Sequence, residues 1–335
     1  MSVVTLACGD SDATGGGGST SSTPSTGGSQ AGGQSSDGGN GNEGGSPAQD
    51  WWRPAPGEAR DWDWQITEPY DTSAPRVMYD LDLFDLATAG SYLEYPDGHT
   101  IDVPEGPLAG TIDELHGREP PAIVICYVDT GAFEHYRPDA VEFPGYQPEL
   151  NAIPNRPTAP ENGSVIGWDT GWDGERWLDI RASSRNAFTP IIWARLDLAV
   201  RLGCDGVEPD QNNPLDNDPG FDVSLEDQIG YYEEVAAAAH ARGLSVGMKN
   251  GHDQPGAVEA LVDDFDWALP EECIEYDECD KLTPFIEAGK AVFAVDYQGS
   301  VDDEVAACGV HAALGFDGLI KDEPPSGAYR RQCNP

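Results

Sequence analysis

Basic residues are scarce in this chain. It contains 18 Lys and Arg against 60 Asp and Glu, which gives a formal net charge of -42 at pH 7. Proteins that bind phosphate backbones cluster Lys and Arg on one surface, so this composition excludes a nucleic-acid partner. The acidic surplus has two interpretations: it keeps the protein soluble or adapts it to salt, or it creates a field that attracts cationic ligands.

The chain also lacks the motifs of several other protein classes. After Cys8 no run is long and apolar enough to span a membrane. There is no Gly-x-Ser-x-Gly elbow, Walker loop or His-Glu-x-x-His motif, and the six histidines have no metal-ligand spacing. The loop from Asp210 to Asp218 lacks the central Gly and terminal Glu of an EF-hand, so we interpret it as a turn rather than a calcium site. We expect neither a metal nor another cofactor.

The first fifty residues differ in composition from the rest. Residues 9–50 are mostly Gly, Ser and other polar residues, with too little apolar surface to offset the entropy of ordering, which predicts a disordered tether. Residues 1–8 end in a run of small and apolar residues that leads to Cys8, similar to the end of a bacterial lipoprotein signal. We predict lipidation of Cys8, with an incidental thiol as the alternative. The first part of such a signal is missing, which predicts that the native chain starts upstream of Met1. We expect a cell-surface or extracellular protein, whose only membrane attachment would be a lipid anchor at Cys8.

Residues 51–335 have the length of one large domain, which we expect to be monomeric. Short β-rich segments recur through this part of the chain, and most lack alternation, as parallel strands covered on both faces do. The eight predicted strands are Trp62–Ile66, Val77–Leu83, Ala122–Val128, Gly206–Glu208, Leu244–Met248, Trp267–Leu269, Ala291–Tyr297 and Gly318–Lys321.

Helical patterns separate these strands. Thr189–Leu202 and Val301–Leu314 each end before a Gly, and apolar residues from Leu225 to Ala239 recur at a helical period. Repeated strand–helix alternation predicts an α/β fold, a (β/α)8 TIM barrel. The alternative, an open doubly wound sheet, is disfavoured because no Gly-rich phosphate loop follows the first strand. The region from Gly131 to Glu175 is rich in Pro, Gly and Trp and is predicted to form an elaborated loop over the barrel mouth.

Six cysteines remain after Cys8, an even number that is typical of an exported, disulfide-bonded fold. Cys273 and Cys279 close a short loop and form one predicted pair. Cys308 and Cys333 would tie the last helix to the C-terminus. Two further cysteines, Cys126 and Cys204, lie on or beside predicted strands, where a disulfide and buried free thiols are equally compatible with the sequence.

Acidic residues follow six of the predicted strands. The active site of a barrel lies at the carboxyl ends of its strands, so these acids should meet at one rim. Glycoside cleavage needs two carboxyls that flank the scissile bond, one of them protonated, and clustered acids raise one another's pKa. We predict Asp210 and Glu271 as the catalytic pair, with Glu208 as a third candidate. The alternative for Glu208 is a buried acid that is salt-bridged to Arg195 or Lys249.

Further polar and aromatic residues at the same rim are candidates for substrate binding. Aromatic rings stack on sugars, and an amino sugar adds a cation–π contact, although core packing is the alternative for any single Trp. The predicted substrate-binding residues are Trp64, Tyr79, Asp80, Asp82, Tyr127, Asp129, Trp172, Lys249, Asn250, Glu272, Asp296 and Tyr297.

Longer motifs extend over nearly all of the chain from Trp62 to Cys333. They include Trp62-Asp63-Trp64-Gln65-Ile66, Tyr79-Asp80-Leu81-Asp82-Leu83-Phe84-Asp85, Asp205-Gly206-Val207-Glu208-Pro209-Asp210 and Ala239 to Asn250. With these motifs the chain resembles glycoside hydrolase family 114, the endo-α-1,4-polygalactosaminidases and their spherulin-like relatives. The resemblance implies a TIM barrel and endo-hydrolysis of a cationic galactosamine-containing polysaccharide, and it places the family's two acids on Asp210 and Glu271.

Several positions depart from the family pattern. The residues before and after Glu271 are Pro270 and Glu272 instead of Asn and Gln, and Asp129-Thr130-Gly131 replaces Ser-Ala-Gly. These positions would line subsites, so two alternatives stay open. One is a glycosidase of the same fold with a different polysaccharide substrate, and the other is a surface protein that binds polysaccharide without cleaving it.

Overall fold

A computed structural model describes residues 51–149 and 163–333. Cys8 and the predicted tether lie outside the described residues. The described strands, in chain order, are β1 Trp62–Gln65, β2 Met78–Asp82, β3 Tyr92–Glu94, β4 Thr100–Asp102, β5 Ile123–Asp129, β6 Ala132–Glu134, β7 Ile166–Asp169, β8 Glu175–Leu178, β9 Gly206–Asp210, β10 Ser245–Lys249, β11 Trp267–Leu269, β12 Val295–Tyr297, β13 Leu319–Lys321 and β14 Arg330–Gln332. The helices are α1 Thr111–His116, α2 Thr189–Leu202, α3 Leu225–His240, α4 Ala257–Leu261, α5 Thr283–Glu287 and α6 Val301–Leu314.

Six parallel strands form the main sheet, in the order β1-β2-β5-β9-β10-β11, and this sheet curls into half a barrel. The register of β5 against β9 places Tyr127 opposite Glu208 and Asp129 opposite Asp210. Every residue of β2, β9 and β10 is buried, which explains why these segments lack a regular alternation of apolar and polar residues. Each of the eight predicted strand segments overlaps one of the observed parallel strands, so the predicted α/β class and strand positions are confirmed.

The last strands continue from β11. A parallel bridge joins Glu271 to Val295, and β12 pairs with β13 in parallel. β14, which the sequence did not predict, pairs with β13 in the antiparallel direction. Across the gap between β13 and β1, the Lys321 ammonium contacts the Asp63 carboxylate at 2.8 Å.

The three longest helices have the predicted limits and begin or end where their sequence signals lie. α2 has Pro190 in its first turn and ends at Gly203, whose φ of 95° is left-handed. Ser224 and Asp227 form a capping box at the start of α3. α6 begins after Ser300, which accepts a bond from a backbone N–H, and ends at the left-handed Gly315.

Part of the predicted loop over the mouth is a small antiparallel sheet, in the order β6-β8-β7. The turn between β5 and β6 needs Gly131, because a Cβ there would lie 1.8 Å from the carbonyl oxygen of Gln211. This close approach packs the small sheet against the end of β9. Residues 150–162 of the predicted loop lie outside the described residues.

All six cysteines of the described residues are in disulfides. The predicted pairs Cys273–Cys279 and Cys308–Cys333 are confirmed. Cys126 and Cys204, whose state the sequence left open, also form a disulfide, which links β5 to the segment that precedes β9. Among the helices of the described part of the chain, none combines the length and apolar character that a membrane span requires.

Candidate active site

A cavity of about 1050 Å³ opens at the carboxyl ends of the parallel strands. Strand ends that are far apart in the sequence meet here because parallel strands share one edge of a sheet. The predicted residues that line it are Trp64, Asp82, Tyr127, Trp172, Asp210, Lys249, Asn250, Glu271, Glu272 and Tyr297.

Lys249, at the end of β10, lies at the centre of this group. Its Nζ is 2.7 Å from Glu208 Oε1, 3.3 Å from Asp210 Oδ1 and 3.1 Å from Glu271 Oε2. The ammonium also lies 4.6 Å from the centre of the Trp64 ring, within the range of a cation–π contact. Although burial opposes its charge, the surrounding carboxylates raise the pKa of Lys249 well above its usual value, so this one cation holds three acids together.

Glu271, directly after β11, accepts hydrogen bonds from several donors. Asn250 Nδ2 donates to Oε2 at 2.9 Å, and the Tyr297 hydroxyl donates to Oε1. Asn250 has a φ of 49°, and its side-chain oxygen accepts from the Glu271 backbone N–H at 2.9 Å, which fixes the two residues to each other. Burial raises the pKa of Glu271, but Lys249, Tyr297 and Asn250 outweigh burial and lower it below its usual value. Glu271 is therefore an ionised, rigidly held carboxylate.

Asp210, the last residue of β9, faces the same ammonium. The Tyr127 hydroxyl donates to Oδ2 at 3.1 Å, and the backbone N–H of Gln211 donates to Oδ1 at 2.7 Å. Gln211 adopts a left-handed φ of 61°, so the chain turns sharply after the carboxylate. Because Asp210 and Glu271 contact one Nζ from different strands, the two carboxyls face a shared space at the cavity floor.

Glu208 lies beneath the cavity and is fully buried. It contacts Lys249 rather than Arg195, and Trp64 Nε1 donates to its Oε2 at 2.8 Å. Burial and the charge of Asp210 raise the pKa of Glu208 to about 7 despite Lys249. Burial together with the Glu208 charge raises the pKa of the fully buried Asp80 well above its usual value.

Besides Glu208, four predicted residues, all of them candidates for substrate binding, are not among those that line the cavity. Tyr79 is fully buried in the core, and its hydroxyl donates to the Ala74 carbonyl. Asp80 and Asp129 are 0% and 1% exposed, below the cavity surface. Asp296 contacts the buried His311 at 2.8 Å. The structure therefore gives these side chains no surface contact with a substrate in the cavity.

Other cavity residues did not emerge from the sequence. Tyr136, Arg137 and Glu175 come from the small antiparallel sheet, and His252 and Tyr276 from loops after β10 and β11. Burial and the charge of Glu134 raise the pKa of Glu175 to about 8. For Tyr136, Arg137 and Glu175 the sequence signal was the composition of the region after β5, which gave no individual positions.

Among the described residues, two groups of side chains have ligand atoms close enough to hold a metal ion. Cys273, Cys279 and His311 form one, but both sulfurs are in a disulfide. The other consists of Asp129, Glu134 and Glu175.

Comparisons with known proteins agree with this geometry. The chain is 29% identical to Aspergillus fumigatus Ega3, solved in complex with galactosamine, with a TM-score of 0.64 over 84% of this chain and 97% of that one. The glycoside hydrolase domain of PelA from Pseudomonas aeruginosa is 13% identical, with a TM-score of 0.48 over 81% of this chain and 96% of that one. Among curated protein sequences none matches. The model of glycoside-hydrolase family GH114 matches residues 43–334, so the chain belongs to glycoside-hydrolase family GH114.

Proposed function

We propose that this glycoside hydrolase cleaves α-1,4-linked galactosamine-containing polysaccharide internally, with Asp210 and Glu271 as the catalytic carboxyls. The observation that carries the proposal is the contact of both carboxylates with the single Lys249 ammonium at the floor of an open cavity. The similarity to Ega3, which was solved with galactosamine, supports an amino-sugar substrate.

Glu271 is suited to the attacking role. Its lowered pKa keeps it ionised, and its three side-chain contacts orient it towards the shared space. Asp210 would then protonate the leaving oxygen, since glycoside cleavage requires an acid opposite the attacking group. Lys249 would hold the two carboxyls in place, with its charge balanced by Glu208 beneath it.

A cationic polysaccharide fits the walls of the cavity. Carboxyls of Glu272, Glu278 and Glu323 line one side, and they would attract ammonium groups of amino sugars. Trp172 also lines the cavity and is 44% exposed, so its ring can stack on a sugar face. Residues from eight strand ends and from the region of the small sheet line the cavity. Such an extended lining suits the binding of an internal segment of a polysaccharide rather than its end.

We also propose that the strands close a (β/α)8 barrel, through the contacts of β11 with β12 and of Lys321 with Asp63. The three disulfides support export to an oxidising compartment, with residues 9–50 as the tether and Cys8 as the lipid anchor of a monomer.

The test is hydrolysis of a partly deacetylated α-1,4-galactosamine polymer, followed by new reducing ends and by product size. We expect internal cleavage, which yields a broad range of oligosaccharides at early times. Glu271→Gln and Asp210→Asn should each lower kcat by about 10³-fold or more, because each removes one of the two reacting carboxyls. Their thermal unfolding should stay close to that of the parent.

The matched controls are Glu287→Gln and Asp113→Asn, which change exposed acids on α5 and α1. They should keep full activity. Parent-like rates in Glu271→Gln or Asp210→Asn would refute the site assignment. Cleavage restricted to neutral polymers would refute the amino-sugar substrate, and binding without new reducing ends would refute catalysis.

A further inference from the structure

Three carboxyls outside the catalytic pair converge at the edge of the cavity. Asp129 ends β5, Glu134 ends β6 and Glu175 begins β8, and one ligand oxygen from each lies within 4.8 Å of the other two. Glu175 lines the cavity, whereas Asp129 and Glu134 lie below it and are 1% and 0% exposed.

Nearby cations do not balance this group. The Arg137 guanidinium contacts Asp82 at 2.5 Å, and that of Arg195 contacts Asp139 at 2.8 Å. Both guanidiniums also contact Glu134 at 2.6 Å, but each is already paired with another acid. The two arginines therefore bring two positive charges to five carboxyls, and they are shared by Asp82, Asp139 and Glu134. Among the described residues, no ion pair balances Asp129 or Glu175. Burial of unbalanced negative charge is costly, so the arrangement calls for a cation.

The hydrogen bonds of Asp129 provide an independent observation. Among the described residues, none donates a hydrogen bond to Asp129 Oδ1, although this atom is fully buried. The other oxygen, Oδ2, has only the Tyr127 hydroxyl at 3.5 Å. A buried carboxylate oxygen normally has a donor or a metal, so Asp129 presents an unused ligand atom to the group.

We propose that Asp129, Glu134 and Glu175 bind a calcium ion. The donor set consists only of carboxylate oxygens, which favour hard cations, and Ca²⁺ tolerates irregular geometry with water completing its shell. Three oxygens can all lie at the usual calcium–oxygen distance of about 2.4 Å when they are about 4.2 Å from one another, so the separations of at most 4.8 Å in this group need only a small inward shift. An ion fits the buried positions better than an ammonium on a sugar ring, because only Glu175 lies at the cavity surface.

Such an ion would join the end of β5 to the small antiparallel sheet. Glu175 Oε1 accepts from the Tyr136 hydroxyl at 2.8 Å, and both residues line the cavity. Calcium would therefore order this wall. The proposal does not depend on which polysaccharide the enzyme cleaves.

The test uses the full chain after removal of divalent ions with EDTA and dialysis. Calcium chloride is titrated in by isothermal calorimetry at physiological ionic strength, which screens the acidic surface. We expect one site with a dissociation constant of about 10⁻³ M or tighter, and a rise in Tm of about 5 °C at saturating calcium. Magnesium should bind more weakly.

Asp129→Asn should weaken calcium binding by at least about tenfold, because it removes a charged ligand. Without calcium the same variant should unfold at a higher temperature than the parent, since it relieves repulsion, and this shows that it is folded. Glu175→Gln is the second variant, and Asp113→Asn, on the exposed face of α1, is the matched control that should bind calcium as the parent does.

Three results would overturn the proposal. The first is the absence of both heat and a Tm shift at millimolar calcium. The second is equal calcium affinity in the parent, Asp129→Asn and Glu175→Gln, which would place binding elsewhere on the acidic surface. The third is Asp129-dependent binding of free galactosamine without any calcium binding, which would make the group an ammonium subsite.

Discussion

Lys249 Nζ lies 3.1 Å from Glu271 Oε2, in a position where the lysine is only 1% exposed. The same nitrogen contacts Asp210 and Glu208, so its charge is shared by three acids, two on β9 and one that follows β11. Such a cation favours the ionised form of each carboxylate it touches. The ionisation of Glu271 therefore depends on a residue that does not itself react.

Lys249→Met tests this dependence, because Met keeps the apolar stem and removes the charge. The pKa of Glu271 should rise, so the acid limb of the kcat/KM profile should move to higher pH by about one unit or more. We also expect kcat to fall by about 10²-fold as the carboxyls lose their common partner. Lys290→Met is the control, since the Lys290 ammonium donates to backbone carbonyls of Val262 and Phe265 away from the cavity. An unshifted acid limb in Lys249→Met would contradict this role.

Tyr297→Phe removes one hydroxyl and leaves the ring. This hydroxyl donates to Glu271, so its loss should raise the Glu271 pKa and lower kcat by about tenfold, with a much smaller change in KM. The pH–rate profile and the separate kcat and KM values report the effect. Tyr92→Phe on the exposed β3–β4 hairpin is the control. A change in KM alone would indicate that Tyr297 binds substrate and does not tune Glu271.

Glu272→Gln should make stability less dependent on pH. Burial and the charges of Glu275 and Glu271 raise the pKa of Glu272 to about 7. The folded state therefore binds a proton on Glu272 more tightly than the unfolded chain does. This proton binding stabilises the folded state fully at a pH below the ordinary carboxyl pKa, and the stabilisation is lost as the pH rises through 7. At pH 8 the variant should be more stable than the parent by about 1 kcal/mol, after allowance for solvent screening, and at pH 4 equal to it.

Urea unfolding at the two pH values measures this difference. Glu287→Gln, at an exposed position, is the control and should not alter the pH dependence. A constant difference between Glu272→Gln and the parent at both pH values would show that the Glu272 charge is not the cause.

The disulfides should differ in their contributions to stability. Cys126–Cys204 spans 78 residues and Cys273–Cys279 spans 6. The loop-entropy relation gives about 4 kcal/mol for the first and about 2 kcal/mol for the second. The double variants Cys126→Ala/Cys204→Ala and Cys273→Ala/Cys279→Ala should therefore show a larger loss of unfolding free energy for the first. Equal losses would mean that local packing outweighs chain entropy.

The strands were predictable because their signals are local. Apolar runs without alternation, and left-handed glycines such as Gly203 and Gly315 after helices, depend on a few neighbouring residues. β14 and the small sheet of β6, β7 and β8 were not predicted. They are antiparallel segments of only three or four residues, too short to show a clear alternation of apolar and polar residues.

The placement of individual strand residues was less predictable. Successive side chains of a strand point to opposite faces, so Tyr79 packs into the core while its neighbours Asp80 and Asp82 point to the other side. Alternation alone would have removed Tyr79 from the predicted binding residues. The alternation would not have shown that Asp80 lies beneath the cavity, because the depth of a side chain below the cavity depends on the register of neighbouring strands.

The sequence by itself determined the α/β class, the positions of the eight parallel strands and of the three longest helices, two of the three disulfides and the family. It also predicted that acids would follow the strands, and this pattern led to the glycosidase hypothesis. Only the tertiary structure decided that Lys249 contacts Glu208, Asp210 and Glu271 together, and that Asp129 meets Glu134 and Glu175. The physical reason is that charge balance and burial depend on distances between residues that lie far apart in the chain, and strand register sets those distances.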